Sequence, residues 1–476
     1  MEILQQITSS AAGVIAAVVV FGLCIFFHEA GHFLAAKAAK MRVDAFALGF
    51  GPRLFGWTRG ETTYSVRVIP IGGFVAIAGM EPGETEVPNG FHARRRWIGA
   101  LVIFAGVTMN VVLAILLNTL VAYTQGVPRP GAPDIVVGGV YPRTPAAASN
   151  MRAGDQVVAV DGNRLGLEIA TVAPNSLAER LGLGKGDRLI QVGEEAVSSP
   201  SDLRTHLAAG AHTEQRLVIV SAKATSATNA FQNVKLPPQP SLRAAATPGP
   251  DTSAQDAKFL QTALGITFGP LGRYDFIAYT NLRPDTQLAI TVNRGGQELT
   301  IPVKTYALQQ KVLRVNQEGA IYQPYATIGR LGLKLQAPTD PVTFIRACQL
   351  GVVFSATAVV EIVDSLHAMI TRKIVAAPGG PVQIFAMSYE SAQLGWAEVA
   401  SFGAFLSANL AVINLLPIPP LDGFVLLVLA FEAAIRRRID ARADYFVKFA
   451  GIVLLLGLVL ILTFNDLRNW IMHGTP

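Results

Sequence analysis

Charged side chains are scarce in this chain of 476 residues. Asp, Glu, Lys and Arg together make up 15% of it, against about 25% in a soluble globular domain. Hydrophobic residues make up 51%, which excludes disordered and collagen-like chains and indicates a membrane protein. Cysteine is also rare: Cys24 and Cys348 lie far apart beside or within apolar runs, which excludes a disulfide framework and a zinc ribbon.

The formal net charge of +6 does not indicate a nucleic-acid partner. The basic residues cluster beside apolar segments, as the triple arginines at 94–96 and 436–438 show. Basic residues in such positions set the orientation of a membrane protein. We therefore expect the lipid bilayer, and no nucleic acid, as the partner of these clusters.

Four apolar runs are long enough to cross a bilayer, and we expect four transmembrane helices. The runs cover about residues 11–39, 98–123, 399–435 and 446–464. The first has no signal-peptide cleavage pattern, so it is expected to remain as a helix. The third is interrupted by prolines, at positions 417, 419 and 420.

A further apolar stretch, residues 342–370, is expected to be an amphipathic helix at the membrane surface. Glu361, Asp364 and His367 fall at helical spacing on one side of it. Eight Lys or Arg in residues 40–97, and four Arg after Ile435, are expected to face the cytoplasm. Both termini and the polar middle of the chain then lie on the opposite, extracytoplasmic side.

The first apolar run contains an HExxH motif. On a helix this spacing places His28 and His32 on one face, where both can bind one Zn²⁺, and it places Glu29 where it can take a proton from water. Ionisable residues are rare inside a bilayer, where each costs roughly 3 kcal/mol. A structural polar cluster or a proton relay is the alternative interpretation of the motif.

A second motif, at the break in the third apolar run, favours the metal site. Asn414 is followed by Leu-Leu-Pro-Ile-Pro-Pro-Leu and then by Asp422 and Gly423. Two histidines and one carboxylate are a common ligand set for catalytic zinc. Prolines and glycine unwind a helix, and irregular backbone at membrane depth is tolerated where it lines a cavity. Asp422 can therefore complete the site as a third ligand.

With both motifs, the sequence resembles the site-2 protease family of intramembrane zinc metalloproteases over nearly its whole length. The resemblance implies one Zn²⁺ bound by His28, His32 and Asp422, with Glu29 as the catalytic base and Asn414 in contact with the substrate or the oxyanion. The family's second span usually carries Gly-Pro-x-x-Asn. Here Gly106 and Asn110 match that pattern and the proline does not, and Asn110 is a further substrate-binding candidate.

The expected cytoplasmic segment contains a strand signal, because residues 63–77 are rich in β-branched residues and are interrupted by Pro70, Gly72 and Gly73. An edge strand can pair with an extended substrate. A hairpin that packs on the ends of the helices is the alternative. The family resemblance implies a membrane-associated sheet that binds substrate, with Val68, Gly72, Gly73 and Phe74 as candidates.

The polar middle contains a repeat at an offset of 32 residues. The matched pairs are Val140 and Val172, Pro142 and Pro174, Ala146 and Ala178, Gly154 and Gly186, Asp155 and Asp187, and Val160 and Val192. Each copy resembles the first half of a bacterial PDZ domain, a peptide-binding module. Segments 216–236 and 287–303 resemble second halves. A nested arrangement is the simplest, with the second unit at about 167–270, and sequential degenerate copies are the alternative. Residues 237–256 are expected to be a flexible insertion.

The expected fold is therefore a multi-pass α-helical membrane protein with a cytoplasmic β-hairpin or sheet and two extracytoplasmic PDZ-like α+β domains. The expected segments are 1–122 with the first two spans, 123–340 with the PDZ-like units, 341–398 as a juxtamembrane region, and 399–476 with the last two spans.

The expected function is a zinc endopeptidase in a bacterial inner membrane that cleaves single-span proteins. The resemblance implies as substrates an anti-sigma factor already cut once, and remnant signal peptides, with the PDZ-like units, on the periplasmic side, as a size gate. A catalytically silent membrane scaffold that presents PDZ-like domains is the alternative, although a scaffold needs neither motif.

Overall fold

A computed structural model describes residues 2–80, 87–129, 135–141, 144–224, 230–238, 252–312, 314–315, 321–322, 325–371, 374–375 and 379–473. Pro142 of the repeat and most of the expected insertion at 237–256 lie outside these residues. The described helices are α1 (Glu2–Ala38), α2 (Arg96–Gln125), α3 (Pro145–Ala148), α4 (Leu177–Arg180), α5 (Pro200–Ala209), α6 (Thr252–Leu264), α7 (Arg273–Asn281), α8 (Phe344–Ile370), α9 (Pro381–Leu394), α10 (Trp396–Asn414), α11 (Asp422–Ile435) and α12 (Ala441–His473), with a short 3₁₀ helix at Phe91–Ala93.

The strands fall into a hairpin near α1 and a set in the polar middle. The hairpin strands are β1 (Val43–Arg59) and β2 (Thr62–Ile77). The others are β3 (Val127–Pro128), β4 (Val137–Val140), β5 (Gln156–Val160), β6 (Leu165–Val172), β7 (Arg188–Val192), β8 (Glu195–Ala196), β9 (Gln215–Val220), β10 (Phe231–Leu236), β11 (Ile266–Pro270), β12 (Gln287–Arg294), β13 (Gln297–Lys304), β14 (Tyr306–Lys311), β15 (Arg314–Val315), β16 (Ile321–Tyr322), β17 (Tyr325–Arg330), β18 (Leu333–Leu335), β19 (Thr339–Asp340) and β20 (Ile374–Val375).

The hairpin is a bent antiparallel sheet. Residues 45–48 of β1 pair with 63–66 of β2 on one side and with 73–76 of β2 on the other, while 53–59 pair with 62–67. Residues 73–77 therefore form one edge of this sheet. Gly72 makes the bend before that edge, with a φ of +93° and with Phe50 so close that a β-carbon would collide with its ring.

Exposed apolar side chains cover the far part of the hairpin. They include Phe50, Leu54, Phe55, Trp57, Val66, Val68 and Ile69, each more than 40% exposed. An exposed apolar patch of this extent indicates contact with lipid or protein. The strand expected at 63–77 is present, and it pairs with a β1 that begins twenty residues earlier.

Among the described residues, the polar middle has two large and separate hydrophobic cores. One core is formed within residues 165–268, around the sheet ordered β10-β9-β7-β6-β11. The other combines residues 135–160 with residues 271–331, because β12 pairs with both β13 and β5. The chain thus begins one unit, completes a second, and returns to the first.

The two aspartates of the repeat hold equivalent turns. Asp155 accepts a hydrogen bond from the backbone N–H of Arg152, and Asp187 accepts one from that of Gly184. Asp155 also forms a bidentate ion pair with Arg294, which joins the two halves of its unit. Burial opposes ionisation of Asp155, but these hydrogen bonds outweigh it and lower the pKa of the carboxyl.

Helices α1, α2 and α10 pack together and form the centre of the apolar bundle. Val20 and Cys24 of α1 contact Leu113 of α2 and Phe402 of α10 in a buried cluster. Gly31 lets α1 approach α2 closely, since a β-carbon there would lie 2.3 Å from a backbone carbonyl oxygen of α2. The HExxH turn, which contains Gly31, is therefore packed closely against α2.

The expectation of four spans is not confirmed, because five described helices are long and apolar enough to cross a membrane. They are Ile15–Ala38, Arg96–Gln125, Phe344–Ile370, Trp396–Asn414 and Arg442–Met472. The additional one is α8, which packs along α2 through small residues at a spacing of four: Ala347, Gly351 and Ser355 are buried, and Ser355 Oγ accepts a hydrogen bond from Asn118. The polar residues that predicted a surface helix lie in its last turns, whereas the face that packs on α2 lies in its first turns.

Candidate metal centre and active site

Three side chains that can bind a metal converge inside the apolar bundle. Nε2 of His28 lies 3.2 Å from Oδ2 of Asp422, and Nε2 of His32 lies 3.3 Å from the same oxygen. The two Nε2 atoms are 3.2 Å apart. The HExxH turn and the start of α11 therefore supply three ligand atoms that face a common point.

Local sequence explains how each residue reaches this point. His28 and His32 are one turn apart on α1, so their imidazoles share a face. Asp422 is the first residue of α11, after a seven-residue break that follows α10. Gly423 permits the break, because a β-carbon there would lie 2.1 Å from the carbonyl oxygen of Leu415. The chain turns back on itself and presents Asp422 to α1.

The ligand atoms fit a tetrahedral zinc ion. With metal–ligand bonds of 2.0–2.1 Å, the edges of the coordination tetrahedron measure about 3.3–3.4 Å, close to the distances observed. Oδ2 of Asp422 is buried and lacks an aligned hydrogen bond, although both imidazoles are near it. A buried carboxylate oxygen without a hydrogen bond is costly. Coordination of a cation by this oxygen would remove that cost.

The ring of His32 is held in the orientation that a metal ligand needs. Its Nδ1 lies 2.9 Å from the carbonyl oxygen of Val102 on α2. A carbonyl accepts only, so Nδ1 carries the proton and Nε2 keeps its lone pair for the metal. Gly106 makes room for the ring, since a β-carbon there would lie 2.3 Å from Nε2 of His32.

Gly106→Ala should therefore impair metal binding. The added methyl group would occupy the space of the ligand nitrogen, and even the loss of a group that only orients a ligand lowers zinc affinity by roughly 10- to 100-fold. Zinc affinity is measured by competition with a chelator on purified protein. Gly22→Ala is the matched control, because Gly22 lies in α1 with open space around it. Equal zinc affinity in both variants would contradict the position described for His32.

Glu29 lies between the metal cluster and the edge of the hairpin. The backbone N–H of Val75 in β2 lies beside its carboxylate. Gly73 packs against the same side chain, and a β-carbon there would lie 3.2 Å from Cγ of Glu29. The carboxylate is therefore placed beside both the zinc ligands and the open edge of the sheet.

Two asparagines flank the ring of His28. Asn110 is fully buried, with its amide 3.4 Å from Nδ1 of His28, and the hydroxyl of Ser407 donates to its backbone carbonyl. Nδ2 of Asn414 lies 3.5 Å from both ring nitrogens. A donor that is equally distant from both nitrogens lies over the ring face, so the amide of Asn414 makes no strong hydrogen bond with His28.

The structure brings together most of the residues that the sequence singled out. His28, Glu29, His32, Asp422, Asn414, Asn110 and Gly73 meet in one region. The described contacts of Gly72 and Phe74 are within the hairpin, and Val68 is exposed there. Sequence reasoning missed the carbonyl of Val102, the N–H of Val75 and the hydroxyl of Ser407. Backbone groups give no sequence signal, and the serine gives almost none.

Comparison with known proteins matches nearly the whole chain to one family. The sequence matches Peptidase family M50 over residues 16–458. It is 28% identical to the zinc metalloprotease RasP of Bacillus licheniformis, with 96% of this chain and 99% of the relative covered. It is 27% identical to the regulator of sigma-W protease RasP of Bacillus subtilis, with 96% and 98% covered. A putative zinc metalloprotease of Neisseria meningitidis is 25% identical, with 94% and 97% covered.

Proposed function

The chain belongs to peptidase family M50 and is a zinc metalloendopeptidase of the site-2 protease type, and we propose that it hydrolyses peptide bonds within the transmembrane segments of single-span proteins. The location of the ligand cluster carries this proposal. His28 and His32 lie in a helix that is long and apolar enough to cross the membrane. A scissile bond must therefore enter the apolar bundle to reach them.

We assign a role to each residue of the cluster. His28, His32 and Asp422 hold the zinc, which when bound acts as a Lewis acid toward a carbonyl and lowers the pKa of water. Glu29 takes the proton from the attacking water and returns it to the leaving amine. Asn414 directs its uncommitted amide toward the developing oxyanion, where such a donor is worth most.

Asn110 has a positioning role in this proposal and does not contact the substrate. It is fully buried, and its Oδ1 has no hydrogen-bond partner while its Nδ2 faces His28. The two ends of an amide are assigned from the hydrogen-bond network. Rotated by 180°, the amide presents Oδ1 to the Nδ1–H of His28. That contact would orient His28 as the Val102 carbonyl orients His32.

The edge of the hairpin is the proposed substrate site. Residues 73–76 pair with β1 on one side only, and Glu29 lies beside them. A transmembrane helix must unwind before its carbonyls can react, since its own hydrogen bonds engage them. Pairing with an edge strand compensates for those lost bonds and requires little sequence preference. Gly73 and Phe74 are the proposed contact residues, with Gly72 and Val68 shaping the approach.

We propose four spans, with α8 returning to the side on which it starts. Strand β19 precedes α8 and pairs with β3, and β20 follows α8 and pairs with β16. Both partner strands belong to the polar middle of the chain, so both ends of α8 are attached to the same part of the protein. The hairpin and the loop after α11 then lie in the cytoplasm, and the polar middle lies in the periplasm.

Reporter fusions test this topology. Insertions after Gly60 and at Asp440 should report the cytoplasm, and insertions at position 245 and at Gly379 should report the periplasm, because the arginine clusters flank one side of the bundle. The fusion at Gly379, between α8 and α9, is decisive. A cytoplasmic signal at that position would mean that α8 crosses the membrane, and the count would become five.

The two units of the polar middle are proposed to be PDZ-like and to gate access by size. One ion pair and one hydrogen bond join the units: across the boundary between them, Arg283 pairs with Asp202 and donates to the hydroxyl of Ser198. A joined pair of units over the active site would exclude substrates with bulky periplasmic domains. Among the known proteins, this chain resembles the regulator of sigma-E protease of Gram-negative bacteria. An anti-sigma factor already trimmed by a first cleavage, and remnant signal peptides, are therefore the proposed substrates.

Val192→Asp should open this gate. Val192 is buried in the core of the second unit, and an unpaired carboxylate there costs several kcal/mol, enough to unfold a small domain. The variant should cut a full-length substrate that normally needs trimming, and should cut the trimmed substrate as before. Lys185→Asp, at an exposed position of the same unit, is the control. Parallel loss of both cleavages would mean recruitment by the units, and no change would mean that they are spacers.

A further inference from the structure

A cavity of about 430 Å³ lies at the end of the bundle where α2 begins and α11 ends. Four of its lining residues are arginines: Arg94, Arg95, Arg96 and Arg438. Its lining contains a single carboxylate, that of Glu432. This carboxylate is buried, accepts a hydrogen bond from the backbone N–H of Ile439, and lies 3.9 Å from Arg96. The cavity therefore carries a net positive charge.

Backbone carbonyls hold two of these arginines in place. Arg94 donates to the carbonyl of Lys40, and Arg438 donates to that of His92. Each carbonyl orients a guanidinium by accepting its hydrogen bond. Helix α2 begins here with no acidic residue in its first turn and no side-chain cap, so its N-terminal dipole adds to the positive potential. Burial, and then the charge of Arg438, lower the pKa of His92.

Apart from His92, the rest of the lining is apolar. Leu429, Gly99 and Ala433 line the cavity together with Trp97, which is 59% exposed at the start of α2. Tryptophan is enriched at the boundary between the hydrocarbon and the headgroups of a bilayer. A free anion would gain nothing from these apolar side chains. A phospholipid would place its phosphate among the arginines, and the first carbons of its acyl chains would contact the apolar side chains.

We propose that this cavity binds the phosphate of an anionic phospholipid headgroup from the surrounding leaflet. Guanidinium groups match phosphate oxygens in geometry, and basic pockets between transmembrane helices are suited to such headgroups. The bound lipid would bridge α2 and α11. These helices carry Gly106 and Asp422. The lipid would therefore stabilise, at one end of the bundle, the packing of the two helices that shape the zinc site.

Binding of dioctanoyl-phosphatidylglycerol to the zinc-loaded full chain in neutral detergent tests the proposal. Native mass spectrometry measures the affinity of Arg95→Gln/Arg438→Gln and of the control pair Arg436→Gln/Arg437→Gln. The control residues lie in the same membrane-proximal region, outside the cavity lining, and the change in charge is identical. The cavity pair should lose at least tenfold more affinity than the control pair. Equal losses would mean general attraction to the surface and would overturn the site.

Two further arms complete the test. Inorganic phosphate at 10 mM should displace little of the lipid; full displacement would assign the site to a free anion and overturn the lipid. A phosphatidylglycerol brominated near its headgroup should quench wild-type tryptophan fluorescence more than that of Trp97→Phe, because Trp97 lines the cavity. This comparison keeps all the arginines, so it tests whether the lipid binds in the cavity even if the glutamine pair fails to fold. Equal quenching would overturn the proposal.

Discussion

Replacing Glu29 by glutamine should abolish hydrolysis while zinc remains bound. Glutamine keeps the size of the side chain and its contact with Val75, but it cannot take a proton from water. General-base catalysis contributes roughly 10²- to 10⁴-fold, so turnover of a model single-span substrate should fall by at least about a hundredfold. Metal analysis of the same preparation should give the zinc content of the wild type, since Glu29 is no ligand.

The control for this variant is Glu361→Gln, which makes the same chemical change on the exposed surface of α8. It should keep full activity. Turnover of Glu29→Gln near that of the control would exclude Glu29 as the base, and another group near the edge of the hairpin would have to serve. Loss of zinc together with activity would instead mean that Glu29 supports the metal site.

Asp422→Ala should remove both zinc and activity. Two imidazoles alone make a weak site, and zinc in catalytic sites takes three protein ligands. Loss of a group that merely orients a ligand costs roughly 10- to 100-fold in affinity, so loss of a ligand should exceed that range. The measurement is zinc stoichiometry and chelator competition on purified protein, with substrate cleavage in parallel.

The matched control is Asp440→Ala, which removes an exposed carboxylate beyond the other end of α11. It should bind zinc as the wild type does. Stoichiometric zinc with unchanged affinity in Asp422→Ala would show that a different residue is the third ligand. Together the two variants separate a base that acts on water from a ligand that holds the metal, because only the second should change the zinc content.

Several features of this protein follow from the sequence because they are local. The scarcity of charge and the long apolar runs determine a membrane protein, since the bilayer acts on each helix separately. HExxH places two imidazoles on one face because the helical repeat does so in any context. The prolines before Asp422 interrupt a helix because proline lacks the backbone N–H that a helix needs and its ring clashes with the preceding turn. The repeated Gly-Asp turns are likewise closed by hydrogen bonds over three residues.

Other features depend on contacts between distant parts of the chain, and only the tertiary structure decides them. The meeting of Asp422 with His28, the carbonyl that orients His32, and the space left by Gly106 all require α1, α2 and α11 to pack in one particular way. The same holds for the edge of the hairpin beside Glu29, and for the small-residue face by which α8 packs on α2. Local periodicity indicates which side of an element is apolar, whereas packing determines which atoms of two elements face each other across their interface.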